Sequence, residues 1–209
     1  MIGTTLNFKP SKSFKFTKTD LIVLFVLVSF LVGYIIGISL ICRDNSVICN
    51  FAQRMFQMMN SIQKGSTFWY RTLMAIISFC PYIVIAYMFG TSILGCAVLP
   101  SVCTTKGFFD GILVAYIYQN YSLSGMGYTV LILAPFLVLS TFLLILACRE
   151  SVCFSSRILM NTLPRGTSYN LSGDFKLYSF RYIFLLILSI VASIFNSIIS
   201  AIFISYFNF

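Results

Sequence analysis

The sequence predicts an all-α integral membrane protein, with residues 1–209 forming a single membrane domain. The first observation is composition: 59% of the 209 residues are hydrophobic and 9% are charged, and the mean hydropathy is +0.95. A soluble domain of this size needs more polar side chains to cover its surface. The second is that five apolar stretches each reach or approach the ~20 residues with which a helix crosses a bilayer. The third is that basic residues cluster in two segments beside these apolar stretches, residues 1–20 and 149–181.

The apolar stretches are residues 21–42, 73–90, 92–118, 128–148 and 182–206, which predicts about five transmembrane helices. Lysine and arginine collect in cytoplasmic segments and thereby fix orientation. The tail, residues 1–20, carries Lys9, Lys12, Lys15 and Lys18, and the segment 149–181 is also basic. We therefore expect a multi-pass protein of the cell membrane with a cytoplasmic N-terminus and a basic cytoplasmic loop at 149–181.

The first two stretches are joined by residues 43–71, which this scheme places on the outer face. Apolar residues recur there at helical spacing, with polar residues on the other face, and this predicts an amphipathic helix. Two interpretations remain open. The helix lies in the plane of the lipid headgroups, or its apolar face docks a partner outside the membrane. The docking hypothesis assigns this face to Ile48, Phe51, Met55, Met58 and Ile62.

The middle stretch, 92–118, contains several residues that disfavour a regular helix facing lipid. Pro100 lacks a backbone donor and clashes with the preceding turn, whereas Gly107 and Gly111 allow close approach of a neighbouring helix. We expect a helix that ends near Pro100 and a second that begins near Gly107. Whether this broken segment crosses the membrane or dips and returns is open.

Lys106 and Asp110 are four residues apart, so they share one face of this segment. One interpretation is a structural ion pair near the cytoplasmic interface, in which each charge lowers the free energy that the other needs to enter the membrane. The other makes Asp110 part of a transport or proton path.

Missing residue types exclude several function classes. The chain has no histidine, which removes Ser–His hydrolases and His-Glu-x-x-His metalloproteases. The seven cysteines form no C-x-x-C pair, although Cys42 and Cys49 could form a disulfide. An intramembrane aspartyl enzyme needs two membrane aspartates, and only Asp110 qualifies. We expect no enzyme activity, no catalytic residue, no cofactor and no metal. The net charge of +9 is explained by orientation rather than by nucleic acid binding.

The segment 90–118, GTSILGCAVLPSVCTTKGFFDGILVAYIY, resembles the core of the stage II sporulation protein M family. That family's pattern is a glycine-rich helix, a proline, and then a Lys-Gly-Phe step followed by another glycine. The matching residues are Gly90, Gly95, Pro100, Lys106, Gly107, Phe108 and Gly111. The next stretch, with Pro135, also fits. Asp110 departs from the pattern, where a small or apolar residue is expected.

The resemblance implies a non-enzymatic scaffold in the membrane of an endospore-forming bacterium. Such a scaffold anchors peptidoglycan hydrolases on the outer face during engulfment, a form of cell wall remodelling in sporulation. It contacts membrane lipid and these protein partners, and we expect no small-molecule substrate. The alternative function is a small membrane transporter, or a transporter subunit, that uses the broken helix around Lys106 and Asp110.

Overall fold

The computed structural model describes residues 18–43, 46–162 and 171–206, and this part of the chain contains helices but no strand. This confirms the predicted all-α membrane protein. The helices are α1 (Lys18–Cys42), α2 (Ser46–Gly65), α3 (Phe68–Gly90), α4 (Gly95–Tyr128), α5 (Ala134–Thr162) and α6 (Leu171–Phe203). A π-helical turn, Thr129–Leu133, joins α4 to α5, and a 3-10 turn, Ile204–Tyr206, follows α6.

Four continuous helical stretches are long and apolar enough to cross a membrane: Asp20–Cys42, Phe68–Gly90, Gly95–Thr162 and Ser172–Phe203. The third folds back on itself at Ser122, whose backbone angles of φ 46° and ψ −122° are non-helical. The Sγ atoms of Cys103 and Cys148 consequently lie 3.2 Å apart across the two arms. The bundle therefore has five long helical rods: α1, α3, the part of α4 before Ser122, the arm that runs back from Ser122 through α5, and α6. This number agrees with the predicted number of transmembrane helices.

The rods alternate in direction. Gly33 of α1 lies against the backbone of Thr104 and Gly37 against that of Phe108, so α1 and α4 run parallel. We call the end where α1, α4 and α6 begin the proximal end of the bundle, and the opposite end the distal end. This alternation is the one that five successive crossings require.

A glycine seam joins α1 to α4, and its members are Gly33, Gly37, Gly107 and Gly111. A Cβ atom at Gly107 would overlap the carbonyl oxygen of Phe30, and one at Gly111 would overlap that of Tyr34. Only glycine leaves room for backbones this close. The close approach expected at Gly107 and Gly111 is therefore present, and its partner is α1.

The predicted break between Pro100 and Gly107 is wrong. Helix α4 passes through both residues, and its non-helical residue is Ser122. The Thr104 hydroxyl donates to the Pro100 carbonyl oxygen at 2.9 Å, and the glycine seam holds this stretch against α1 along its length. A proline in a membrane helix is tolerated where such neighbours support the backbone. Residues 92–118 consequently neither break nor dip and return.

The segment 149–181, predicted as a loop, is mostly helical. Helix α5 continues to Thr162 and α6 begins at Leu171. Ion pairs between the two helices, Arg157 with Asp174 at 3.2 Å and Arg181 with Glu150, hold the extensions together. Residues 163–170 lie outside the described part of the chain, as do Asp44 and the predicted cytoplasmic tail up to residue 17.

Buried apolar side chains form two cores along the bundle axis. The proximal core includes Phe79, Ile83, Leu99, Cys103, Leu144, Phe154, Tyr178 and Tyr182. The distal core includes Ile41, Ala52, Phe56, Ile112, Tyr116, Ile117, Tyr128 and Ile132. Helices α1, α4, α5 and α6 contribute to both cores, whereas α3 contributes only to the proximal core and α2 only to the distal core. The cavity beside α2 lies next to the distal core.

Candidate functional site

Helix α2 confirms the predicted amphipathic helix, and one strip of it is firmly anchored. Ala52 and Phe56 are buried in the distal core. The Phe56 ring lies 5.3 Å from the ring of Tyr121 and 6.0 Å from that of Tyr128. The Tyr128 hydroxyl also donates a hydrogen bond to Gln63. These contacts hold α2 across the end of α4 that precedes Ser122 and across the start of the arm that runs back from Ser122 toward α5.

The rest of the apolar face of α2 is not covered by the protein's described residues. The side chain of Phe51 is 45% exposed and that of Met58 is 64% exposed, and Met55 and Ile62 are half-buried. These four residues line a cavity of about 550 Å³. Ile48 does not line it and packs against the distal core instead. The predicted docking face is thus divided between an anchor and a cavity wall.

The cavity is enclosed by α2 on one side and by the rods α3 to α6 on the other. Its walls are mainly apolar, with four methionines and several aromatic rings. The lining from α2 and α3 is Phe51, Met55, Met58, Met59, Ile62, Gln63, Arg71, Met74, Ala75, Ile77, Ser78, Phe79 and Tyr82. The lining from the other helices and the π-helical turn is Lys106, Phe109, Asp110, Leu113, Ile132, Leu133, Phe136, Leu137, Asn196, Ser197 and Ser200.

Lys106 and Asp110 form an ion pair in the cavity wall, as their spacing predicts. Their side chains are only 8% and 10% exposed. Because Gly107 and Gly111 face α1, the charged pair lies on a different side of α4, toward the cavity. Removing either partner of such a buried pair would leave the other charge unpaired, which strongly destabilises the folded protein. The transport role of Asp110 stays a prediction.

The remaining motif residues do not converge on the cavity. A Cβ atom at Gly95 would overlap the carbonyl oxygen of Phe89, so Gly95 serves the packing where α4 begins. Phe108 packs against the distal core. Pro100 lies near the start of α4, against a shallow groove formed with α1 and α5. Helix packing accounts for these positions.

The sequence interpretation missed the polar groups that α3 and α6 bring to the cavity. They include Arg71 and Ser78 from α3 and Asn196, Ser197 and Ser200 from α6. The Ser200 oxygen is buried and has no hydrogen-bond partner among the described residues. A detectable signal was the row of buried serines Ser189, Ser193 and Ser197 along the otherwise apolar α6, because such a row marks a face turned toward protein.

All seven cysteines are free, so the Cys42–Cys49 disulfide left open by the sequence is not formed.

The cavity offers an adaptable apolar wall, a paired charge, and a few hydrogen-bonding groups. Such a surface is suited to binding an apolar or amphipathic group.

Protein-family models, curated proteins and solved structures gave no significant match to the chain. The resemblance to the stage II sporulation protein M family therefore stays a prediction that rests on the motif residues from Gly90 to Gly111.

Proposed function

We propose that this protein is a non-enzymatic membrane scaffold that docks protein partners on the distal side through α2. One observation carries the proposal. The protein anchors α2 through Ala52 and Phe56, yet leaves Phe51 and Met58 exposed beside a cavity. An anchored helix with an open, methionine-rich face is suited to adaptable recognition of a partner.

The resemblance supports a more specific form of this proposal. In it, the partners are peptidoglycan hydrolases, the distal side is the outer face of the cell membrane, and the process is engulfment during endospore formation. The proposed division of labour is that the scaffold positions the hydrolases and the hydrolases carry the chemistry.

The test is affinity purification of the tagged chain from detergent-solubilised membranes of sporulating host cells, with mass spectrometry of the bound proteins. We expect a cell wall amidase or a lytic transglycosylase with the wild type. The Met58→Glu variant should lose these partners, because a carboxylate disrupts an apolar docking surface. The matched control is Gln57→Glu, which places the same charge on an exposed position of α2 outside the cavity lining.

Both variants must reach the membrane in wild-type amounts. Equal recovery of hydrolases with wild type and Met58→Glu would overturn the assignment of this surface. Recovery of no cell wall enzyme with the wild type would overturn the engulfment role.

A second candidate is the small transporter or transporter subunit. The observation in its favour is that the ion pair of Lys106 and Asp110 lines a cavity among apolar helices, since charges inside membranes often mark transport paths. This candidate predicts an ATPase or coupling subunit among the purified partners, and solute uptake that is lost in Asp110→Asn. Unchanged uptake in that variant would remove it.

A further inference from the structure

The cavity beneath α2 has the form of a ligand site. Its volume of about 550 Å³ falls within the range of ~300–1,000 Å³ that small-molecule sites occupy. Met55, Met58, Met59 and Met74 supply unbranched, flexible side chains on its walls. Such side chains adapt to a long, irregular apolar group such as an acyl chain.

The charge of the cavity favours an anion. Its charged lining residues are Arg71, Lys106 and Asp110, and the last two neutralise each other. The Arg71 Nε atom donates to the Ser66 carbonyl oxygen at 3.0 Å, but across residues 18–43, 46–162 and 171–206 no carboxylate pairs with Arg71. One positive charge therefore remains, on a guanidinium group whose geometry matches a phosphate.

A second polar group points to the same conclusion independently. Ser200 is 2% exposed, and its hydroxyl oxygen has no partner in the described structure. Buried hydroxyl groups nearly always have a hydrogen-bond partner, because leaving one without a partner is unfavourable. A ligand with a carbonyl or phosphate oxygen in the cavity would provide that partner.

The position of Arg71 relates the site to the membrane surface. Trp69 and Tyr70 precede it, and both are exposed, as aromatic residues at a membrane–water interface commonly are. The cavity extends from this level to Lys106 in the first half of α4. A molecule that fits has an anionic head at the interface and an apolar chain directed into the bilayer.

We propose that the cavity binds an anionic glycerophospholipid, whose phosphate contacts Arg71, whose ester region contacts Ser200, and whose acyl chain lies along the methionine wall of α2. The lipid would also complete the surface next to Met58, so the inference extends the proposed docking function. It concerns the purified chain with lipid alone, and its test needs no protein partner.

The experiment uses tryptophan fluorescence in lipid nanodiscs. Trp69 is the chain's sole tryptophan, so a Trp69→Phe background is free of other tryptophan signals. In this background Phe136→Trp reports from the cavity wall. Phe142→Trp, at a position that is 58% exposed and outside the cavity lining, reports from the lipid-facing surface of α5. The quenchers are phosphatidylglycerol or phosphatidylcholine with brominated acyl chains, titrated into phosphatidylcholine nanodiscs.

For the Phe136→Trp reporter, we expect phosphatidylglycerol to reach half-maximal quenching at about a tenfold lower mole fraction than phosphatidylcholine, the factor that one charge-assisted hydrogen-bonded pair supplies. The Phe142→Trp reporter should respond equally to both lipids. Adding Arg71→Gln should abolish the preference, and Arg71→Lys should keep part of it. The matched control Arg54→Gln removes an exposed arginine outside the cavity lining and should leave the preference unchanged.

The proposal is overturned if both lipids quench the cavity reporter equally, if neither quenches it, or if the preference survives Arg71→Gln. Each protein must elute as a single species with wild-type helix content. The nanodisc assay contains no hydrolase. A negative result in it would therefore overturn lipid binding without bearing on the docking of hydrolases, which the affinity purification tests separately.

Discussion

In the proximal core, the Ser151 hydroxyl donates to the Ala86 carbonyl oxygen at 2.8 Å, and the Tyr182 hydroxyl donates to that of Ala147 at 2.7 Å. In the distal half, Ser200 is equally buried, but its hydroxyl has no partner among the residues described. Similar side chains thus connect neighbouring helices at one end of the bundle and remain open at the other.

Both halves contain packed aromatic rings, but parallel stacks occur in the proximal core, whereas the rings around Phe56 in the distal core are tilted or edge-to-face. Tyr178 stacks on Phe154 with ring centroids 4.4 Å apart and on Tyr87 at 5.3 Å, both at 9° between the ring planes. At the distal end, Phe51 contacts the Phe109 ring at 6.1 Å along the cavity lining. The proximal core is thus closed by hydrogen bonds and stacked rings, whereas the distal half combines the anchored strip of α2 with an open cavity wall.

The largest expected effect comes from removing one member of the ion pair of Lys106 and Asp110. Asp110→Ala leaves Lys106 as an uncompensated buried charge, which should lower the free energy of unfolding by ~3–5 kcal/mol. The double variant Lys106→Met with Asp110→Leu should be close to wild type, since it replaces both charges with apolar groups. Thermal unfolding in detergent measures both, and a mild effect of Asp110→Ala would mean that water reaches Lys106 freely.

The glycine seam should give the next largest effect, because it supports both halves of the bundle. Gly107→Ala adds a Cβ atom that overlaps the Phe30 carbonyl oxygen, and such overpacking should reduce stability by about 1–3 kcal/mol. Gly65→Ala is the matched control, since a Cβ atom there meets no atom within 4 Å. If the same unfolding assay gives equal stabilities for the two variants, α1 and α4 are less closely packed than described.

The smallest expected effect comes from removing a buried serine hydroxyl, and it should differ between the proximal and distal halves. Ser151→Ala removes a hydrogen bond between helices and should destabilise the protein by about 1 kcal/mol. Ser200→Ala removes a hydroxyl that has no partner in the described structure, so its stability in lipid-free detergent should be unchanged or slightly higher. Equal losses from both variants would contradict the contrast between the proximal and distal halves.

Local patterns predicted much of this architecture. Apolar length alone located the rods, and the spacing of residues from Ile48 to Ile62 predicted α2. The four-residue spacing of Lys106 and Asp110 predicted their pair, because neighbouring positions on a helix face depend only on its periodicity.

The errors arose where distant residues decide the outcome. Pro100 suggested a break from its own chemistry, but support for α4 comes from Gly33 and Gly37, more than sixty residues earlier in the chain. The cavity joins Met58 to Ser200 across five helices, and no local pattern specifies that arrangement. Tertiary packing overrides such local preferences.

The chain reversal at Ser122 has a consequence for how the protein is made. The backbone turns at a single non-helical residue, and the polar residues at this turn are confined to the short run from Gln119 to Ser124. Two helices so closely joined are expected to enter the bilayer together as a helical hairpin. Within that hairpin Lys106 and Asp110 already lie on one helix, so the charges can neutralise each other during insertion without a contact from another helix.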